Sequence, residues 1–540
     1  MLTTSSKLLV LLGAMSMLSA SVAAKMPPRT MRFPTPKPRT DNKRWEDANP
    51  QEFFFYTKLD HFDADGKSSS FKMRYLIDDT YWDPETGPIL FYAGNEGDIY
   101  SFYDNVGFMT QTIAQETKGL LVFGEHRYFG VSYPYDPSEA FTPAHNVYLT
   151  VEQVMVDYVE LIKYVRTEYE MEDKACVVFG GSYGGMLAGW LRIKFPNTFQ
   201  GALAASAPSL YFKNAPSAPE YAYAEIATQD FRTQLDKSPE LIKESFTLMM
   251  NSTSDKWSEM SEIFNTCTPI SNSSDVLHLY QHYSNGYQYM AMTDYPYPAA
   301  FLEPMPAWPI KEAVKPFAKI DTNAKYWSKK QEPEKPWYKK INKQIWNKEE
   351  QPTGLTDRES QLFSALAEST NVYFNYTGQY PCTNLSDWEG TGDLDGYGWN
   401  ILACNQLAMP IGYGPDSMFI EQSFDYDAYT KICQDTFGLT PDYDWALRYF
   451  GGFNIDKDFL ATTNIIFSNG ELDPWRAGGL NKNVTADGSG IALYIEGGAH
   501  HLDLRPPNDA DPATVTEARN VEMANIKKWI SDYQSIQVDQ

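Results

Sequence analysis

The chain has 540 residues, with 45 Lys and Arg against 70 Asp and Glu and a formal net charge of −25. That balance excludes a nucleic-acid partner, because phosphate binding demands a basic surface, and it disfavours docking on anionic lipid. Hydrophobic residues at 43% and aromatics at 15% supply a large core, so the sequence is that of a folded protein with one big domain and an insertion, or with several domains.

Residues 1–24 read as a secretory signal peptide: Lys7 charges its start, Leu8 to Leu18 form a short apolar run, and Val22-Ala23-Ala24 offer small residues for cleavage. The run is too short to cross a bilayer, and no later stretch is long and apolar enough, so no membrane anchor is expected. Residues 25–50 are Pro-rich and basic and read as a linker or pro-segment.

From there the chain alternates short apolar runs with helical patterns. The segments 87–94, 118–126, 174–180 and 200–208 suit buried strands bounded by Gly or Pro, and 151–169 has apolar residues at helical spacing. Such alternation implies a parallel sheet covered on both faces, here residues 51–212. Residues 213–400, rich in Trp, Tyr, Pro and amides, read as an inserted, mainly helical domain. Four of the five N-x-[ST] sequons, Asn251, Asn272, Asn375 and Asn384, fall in that stretch, and the fifth is Asn483. Residues 401–540 return to the first pattern, with strands at 464–470 and 491–498. A last helix is expected from an Asp511 cap and Pro512 to about Trp529. Of the five cysteines, Cys176 lies in an apolar run and reads as a buried free thiol. Cys267, Cys382, Cys404 and Cys433 then allow three pairings in an oxidising compartment.

The motif that carries chemistry is Gly180-Gly181-Ser182-Tyr183-Gly184, placed between a strand and a helix. That context defines a nucleophile elbow, whose sharp turn needs small neighbours and lifts the hydroxyl of Ser182 clear of the sheet. The Tyr183 backbone N–H at the helix start can then stabilise an oxyanion, with a second donor from Gly94-Asn95 after the strand at 87–94. A serine needs a base, and in this fold the acid and histidine follow it. Asp473, with Glu471 as the competing carboxylate, and the adjacent pair His500 and His501 each follow a strand, and Asp473 to His500 is 27 residues, room for one helix and one strand. Ser182 and Asp473 are separated by about 290 residues, and the excess is the inserted domain. The expected fold is therefore an α/β-hydrolase with a large, mainly helical cap between the nucleophile strand and the Asp and His strands. His278 and His282, four apart, have the spacing of two metal ligands, but no glutamate completes a zinc motif, and they read as two exposed cap histidines.

Read together, GNEGD (94–98), EHRYFG (125–130), GGSYGG (180–185), SNGELDPW (468–475) and GAHHLDLR (498–505) resemble the serine peptidase family that includes lysosomal prolyl carboxypeptidase and dipeptidyl-peptidase II. KLDHF (58–62) and FKMRYLI (71–77) resemble its start, and the likeness spans roughly residues 51–535. The resemblance implies a Ser182–His500–Asp473 triad, no cofactor and no metal, and cleavage of proline-containing peptides in a lysosome or outside the cell. It places His501 and Arg505 beside the catalytic histidine, and Met186, Met409 and Trp475 around a proline pocket. Glu96 and Asp98 would bind a free amine in the aminodipeptidase branch. It also implies Cys267–Cys382 and Cys404–Cys433 disulfides, while further family bridges lack partners here. Oligomeric state is open, a homodimer included. An esterase on the same scaffold and a catalytically silent binding protein are the competing expectations.

Overall fold

The computed structural model describes residues 50–320, 354–385, 394–484 and 488–538. The signal peptide and all but the last residue of the 25–50 segment expected from the sequence lie outside these described residues.

Eight strands form one sheet: β1 (Gln51–Lys58), β2 (Ser70–Asp78), β3 (Ile89–Ala93), β4 (Leu120–Gly124), β5 (Cys176–Gly181), β6 (Gly201–Ala205), β7 (Ile465–Gly470) and β8 (Gly490–Ile495). Their spatial order is β1-β2-β4-β3-β5-β6-β7-β8. Every pair from β4 to β8 is parallel. The expected all-parallel sheet needs one correction, because β1 and β2 pair antiparallel and β2 is antiparallel to β4. Strand β1 alternates exposed and covered residues, as an edge strand with one wet face does. The central strands are buried throughout and read as unbroken apolar runs.

Strand periodicity sorts these runs into two cores. Ile89, Phe91, Leu120, Val122 and Val178 face a core continuous with the inserted helices. Leu90, Tyr92, Leu121, Phe123, Val177 and Phe179 face the opposite core, which Ile526, Trp529 and Ile530 of the last helix close. That helix runs Ala513–Val538, longer than expected, and Asp511 does not start it. The Asp511 carboxylate instead accepts from Arg519 at 2.6 Å and from the Asn508 N–H at 2.9 Å. The crossover helix Val151–Glu168 begins where the sequence placed it, capped by the Thr150 hydroxyl.

Among the described residues between β6 and β7, the regular elements from Ala222 to Asp458 are all helices. The longest, Ser273–Met292, starts with a capping box of Asn272 and Asp275. The disulfides are Cys267–Cys382 and Cys404–Cys433, and Cys176 is buried and unpaired. Trp190 of the helix Tyr183–Lys194 stacks on Phe450 at 4.4 Å, which ties the later part of the helical stretch to the sheet layer. Among the described residues, no helix is long and apolar enough to cross a membrane. The fold is that of an α/β-hydrolase with a helical cap.

Candidate active site

Strand β5 ends at Gly181, and the helix Tyr183–Lys194 begins one residue later. Ser182 alone makes the turn, at φ 60° and ψ −126°, a conformation costing a non-glycine residue about 1–3 kcal/mol. Its neighbours must be small for a measurable reason. A Cβ on Gly180 would stand 1.9 Å from the Gly184 carbonyl oxygen, and one on Gly184 would stand 2.9 Å from both Ala93 O and Asn95 Oδ1. The Ser182 hydroxyl is buried and has no hydrogen-bond partner among the described residues. Behind the turn, Tyr183 packs its ring on Trp399, and its hydroxyl lies 3.0 Å from His126 Nε2. Burial lowers His126 to about 4, so that imidazole is neutral.

The loop after β3 reaches the same place. Gly94 donates its N–H to Gly124 O at 3.0 Å, so of the two expected loop residues it is Asn95 that is left for an oxyanion. Buried Arg74 bonds Asp98 at 2.7 Å and Glu125 through Nε at 3.1 Å, and Glu125 also accepts from the Ile99 N–H. Burial pushes Glu125 up to about 7, and the Arg74 guanidinium opposes part of that rise. Asp98 caps the short helix Ile99–Tyr103 and pairs with Arg74, so its carboxylate is engaged away from the serine. Glu96 instead lines the cavity beside Ser182, accepting from Asn95 Nδ2 at 3.0 Å.

Strands β7 and β8 supply the other two residues. Asp473 sits in the turn after β7, accepts from the Trp475 N–H at 3.1 Å, and places Oδ2 2.8 Å from His500 Nδ1. Both side chains are buried. That contact sets the imidazole so that Nε2 is the nitrogen able to take a proton from a nucleophile. Ser182 and His500 line one cavity of about 370 Å³, together with Tyr92, Phe102, Asn105, Val106, Met292, Phe301 and His501.

The remaining expected residues divide. His501 lines the cavity and holds φ 37°, its N–H bonded to Ser206 Oγ at 2.7 Å. Burial holds its imidazole well below the usual range, and the charges of His500 and Arg505 add to this. Arg505 lies one layer behind, bonding Asn105 at 3.3 Å and covering the Tyr295 ring at 4.4 Å. Met186, Met409 and Trp475 are fully buried and lie outside the cavity lining. Trp475 touches the lining indirectly, donating Nε1–H to the Met292 sulfur at 3.3 Å. Neither His278 nor His282 is an exposed cap residue: both are half-buried, and His282 stacks on Phe374 at 3.7 Å. Among the described residues, no group of His, Cys, Asp or Glu could hold a metal ion. Sequence reasoning passed over Met292 and Phe301, which the insertion sends down to the cavity, and Tyr295, which bonds the His500 carbonyl behind it. The only local signal was the helix-ending, aromatic and proline-rich run MTDYPYP.

An elbow serine, an acid-held imidazole and this sheet order together define a serine hydrolase. The family model described as "Serine carboxypeptidase S28" matches residues 57–522, and the chain belongs to that family. It is a serine-type peptidase. Bovine (Bos taurus) "Lysosomal Pro-X carboxypeptidase" is 37% identical over 535 residues, covering 97% of each chain. Its Homo sapiens counterpart is 37% identical over 489 residues, 90% of this chain and 89% of that one. "Prolyl carboxy peptidase like protein 5" of Caenorhabditis elegans is 33% identical over 497 residues, 89% of this chain and 90% of that one.

Proposed function

We propose that this chain is a Pro-X carboxypeptidase, releasing the C-terminal residue that follows a proline, and that Ser182, His500 and Asp473 perform the chemistry. The observation that carries this reading is the buried Asp473–His500 contact opening onto the cavity that also holds the strained Ser182. The serine hydroxyl has no partner among the described residues and shares the cavity with the imidazole, and catalytic contacts of this kind commonly close only with substrate bound. Ser182 Oγ attacks the carbonyl carbon of proline while its proton passes to His500 Nε2. The oxyanion takes the Tyr183 and Asn95 backbone N–H groups. When the intermediate collapses, the C–N bond breaks and His500 returns the proton to the departing amine. Water then attacks the acyl-enzyme, giving a proton to His500, and the serine is restored.

The names of the relatives support proline before the scissile bond and a lysosomal location. Met186, Met409 and Trp475, which lie outside the cavity lining, are proposed to back the proline site from behind, Trp475 acting through Met292. Asn251, Asn272, Asn384 and Asn483 are exposed and Asn375 is half-buried, which supports glycosylation on the secretory route. A homodimer is part of the proposal, and light scattering tests it.

One observation favours a second reading. The Glu96 carboxylate beside Ser182 is suited to a free α-amine, as removal of an N-terminal dipeptide would require. Mass spectrometry of products from proline peptides with free or blocked termini separates the two. Loss of one C-terminal residue, stopped by amidating the C-terminus, is the expected result. An N-terminal dipeptide product, or turnover of esters alone, would overturn it.

A further inference from the structure

The cap touches the proposed catalytic histidine at its backbone. The helix Ser273–Met292 ends at the cavity, and the last carbonyls of any helix lack partners within it. Here the Met292 carbonyl accepts from the His500 N–H at 3.0 Å. Three residues on, the Tyr295 hydroxyl donates to the His500 carbonyl at 3.1 Å, and both partners are buried. Both polar groups of the His500 main chain are therefore held by a single cap segment.

Other ties grip the neighbours of His500 and come mostly from outside the cap, though the Arg505 Nε–H donates to the cap's Tyr297 hydroxyl at 3.2 Å. The His501 N–H bonds Ser206, Ser468 bonds Asp503, and Arg519 bonds the carbonyls of Leu502, Asp503 and Arg505. Asp473 fixes the imidazole at one nitrogen only. The angle at which Nε2 meets Ser182 thus depends on where the His500 peptide sits, and the cap sets that position. Tyr295 is itself immobilised. Its N–H bonds Thr293 O at 2.7 Å, its carbonyl accepts from the Trp308 N–H at 2.7 Å, and the Arg505 guanidinium covers its ring at 4.4 Å. Burial raises its hydroxyl pKa, which keeps it a proton donor at every working pH.

We propose that Tyr295 is a positioning residue for His500, so that the cap segment 292–295 completes the catalytic apparatus in addition to covering it. This rests on the triad reading above. A displacement of the segment that widens the cavity would carry His500 away from Ser182. Binding that seats the segment would restore the alignment.

The test compares the full chain with Tyr295→Phe, which keeps the ring over Arg505 and removes one hydroxyl. Tyr287→Phe is the control: it lies in the cap helix that leads into Tyr295 and loses a buried hydroxyl bond to Ser369, 2.9 Å long, away from the site. Fluorophosphonate labelling rate, kcat, KM and Tm are measured for each. One buried hydrogen bond that acts through orientation predicts a roughly five- to thirtyfold fall in labelling rate and kcat for Tyr295→Phe, with KM within about twofold. Tyr287→Phe should keep both rates within about twofold at a comparable loss of Tm. Rates for Tyr295→Phe that match the unaltered protein would overturn the proposal. Equal losses in both variants would do so too, because the effect would then be general loosening of the cap. Ser182→Ala guards the foundation: labelling that survives it removes the triad reading itself, whatever Tyr295 shows.

Discussion

Asp294 sits buried just past the end of the helix Ser273–Met292 with a carboxyl group that has very little to hold a charge. It is 2% exposed, and its Oδ1 accepts from the Ile310 N–H at 3.1 Å. Burial raises it from the ordinary 3.8 to about 7, with the Ile310 N–H opposing the rise. Its neighbour Asp230 is buried too and is also raised, by burial first and by Asp294 second, with Arg476 opposing. Between about pH 4 and pH 7 the folded chain therefore binds a proton at Asp294 that the unfolded chain has released. Stability must then fall as pH rises through that window and level off above about 7. Three pH decades at about 1.4 kcal/mol each set a ceiling of about 4 kcal/mol. Asp294→Asn keeps the acceptor for Ile310 and removes the titration. For a chain of this size each kcal/mol moves Tm by roughly 1 °C. The variant should match the unaltered protein near pH 4 and exceed it by up to about 4 °C near pH 7.5. Differential scanning fluorimetry across pH 4 to 8 reads this directly. A Tm difference that stays constant with pH would refute the assignment of the proton to Asp294.

Two further changes test the frame around the site. Gly184→Ala must push against Ala93 O and Asn95 Oδ1, so it should lower the fluorophosphonate labelling rate at least tenfold while far-UV circular dichroism stays unchanged. Trp529→Ala empties the centre of the second core, and denaturant unfolding should show a loss of about 3–5 kcal/mol, with kcat at low temperature retained.

Much of the sheet was legible because its chemistry is local. A run such as KACVVFG, buried on both faces, must be apolar throughout, and its strand β5 appears where the pattern put it. The antiparallel edge strand β1 was less legible, since its residues alternate and one face stays wet. The last helix outran its expected end at Trp529, because its final turns are polar and no Gly or Pro stops them.

Motif and spacing singled out Ser182, Asp473 and the His500-His501 pair, because an elbow serine and the strand-end acid and histidine that follow it carry their own short-range signatures, and the family resemblance chose His500 of the two. Which carboxylates would face the cavity was decided only by folding. Glu96 and Asp98 are two residues apart in one loop, yet Arg74 draws Asp98 away while Glu96 stays beside Ser182. The cap's hold on His500 was equally invisible, since a hydroxyl and a peptide carbonyl more than two hundred positions apart leave no pattern in either segment. Local sequence encodes turns, caps and apolar periods because those depend on near neighbours. Cavity walls and the pinning of a backbone group depend on what the chain brings back from far away.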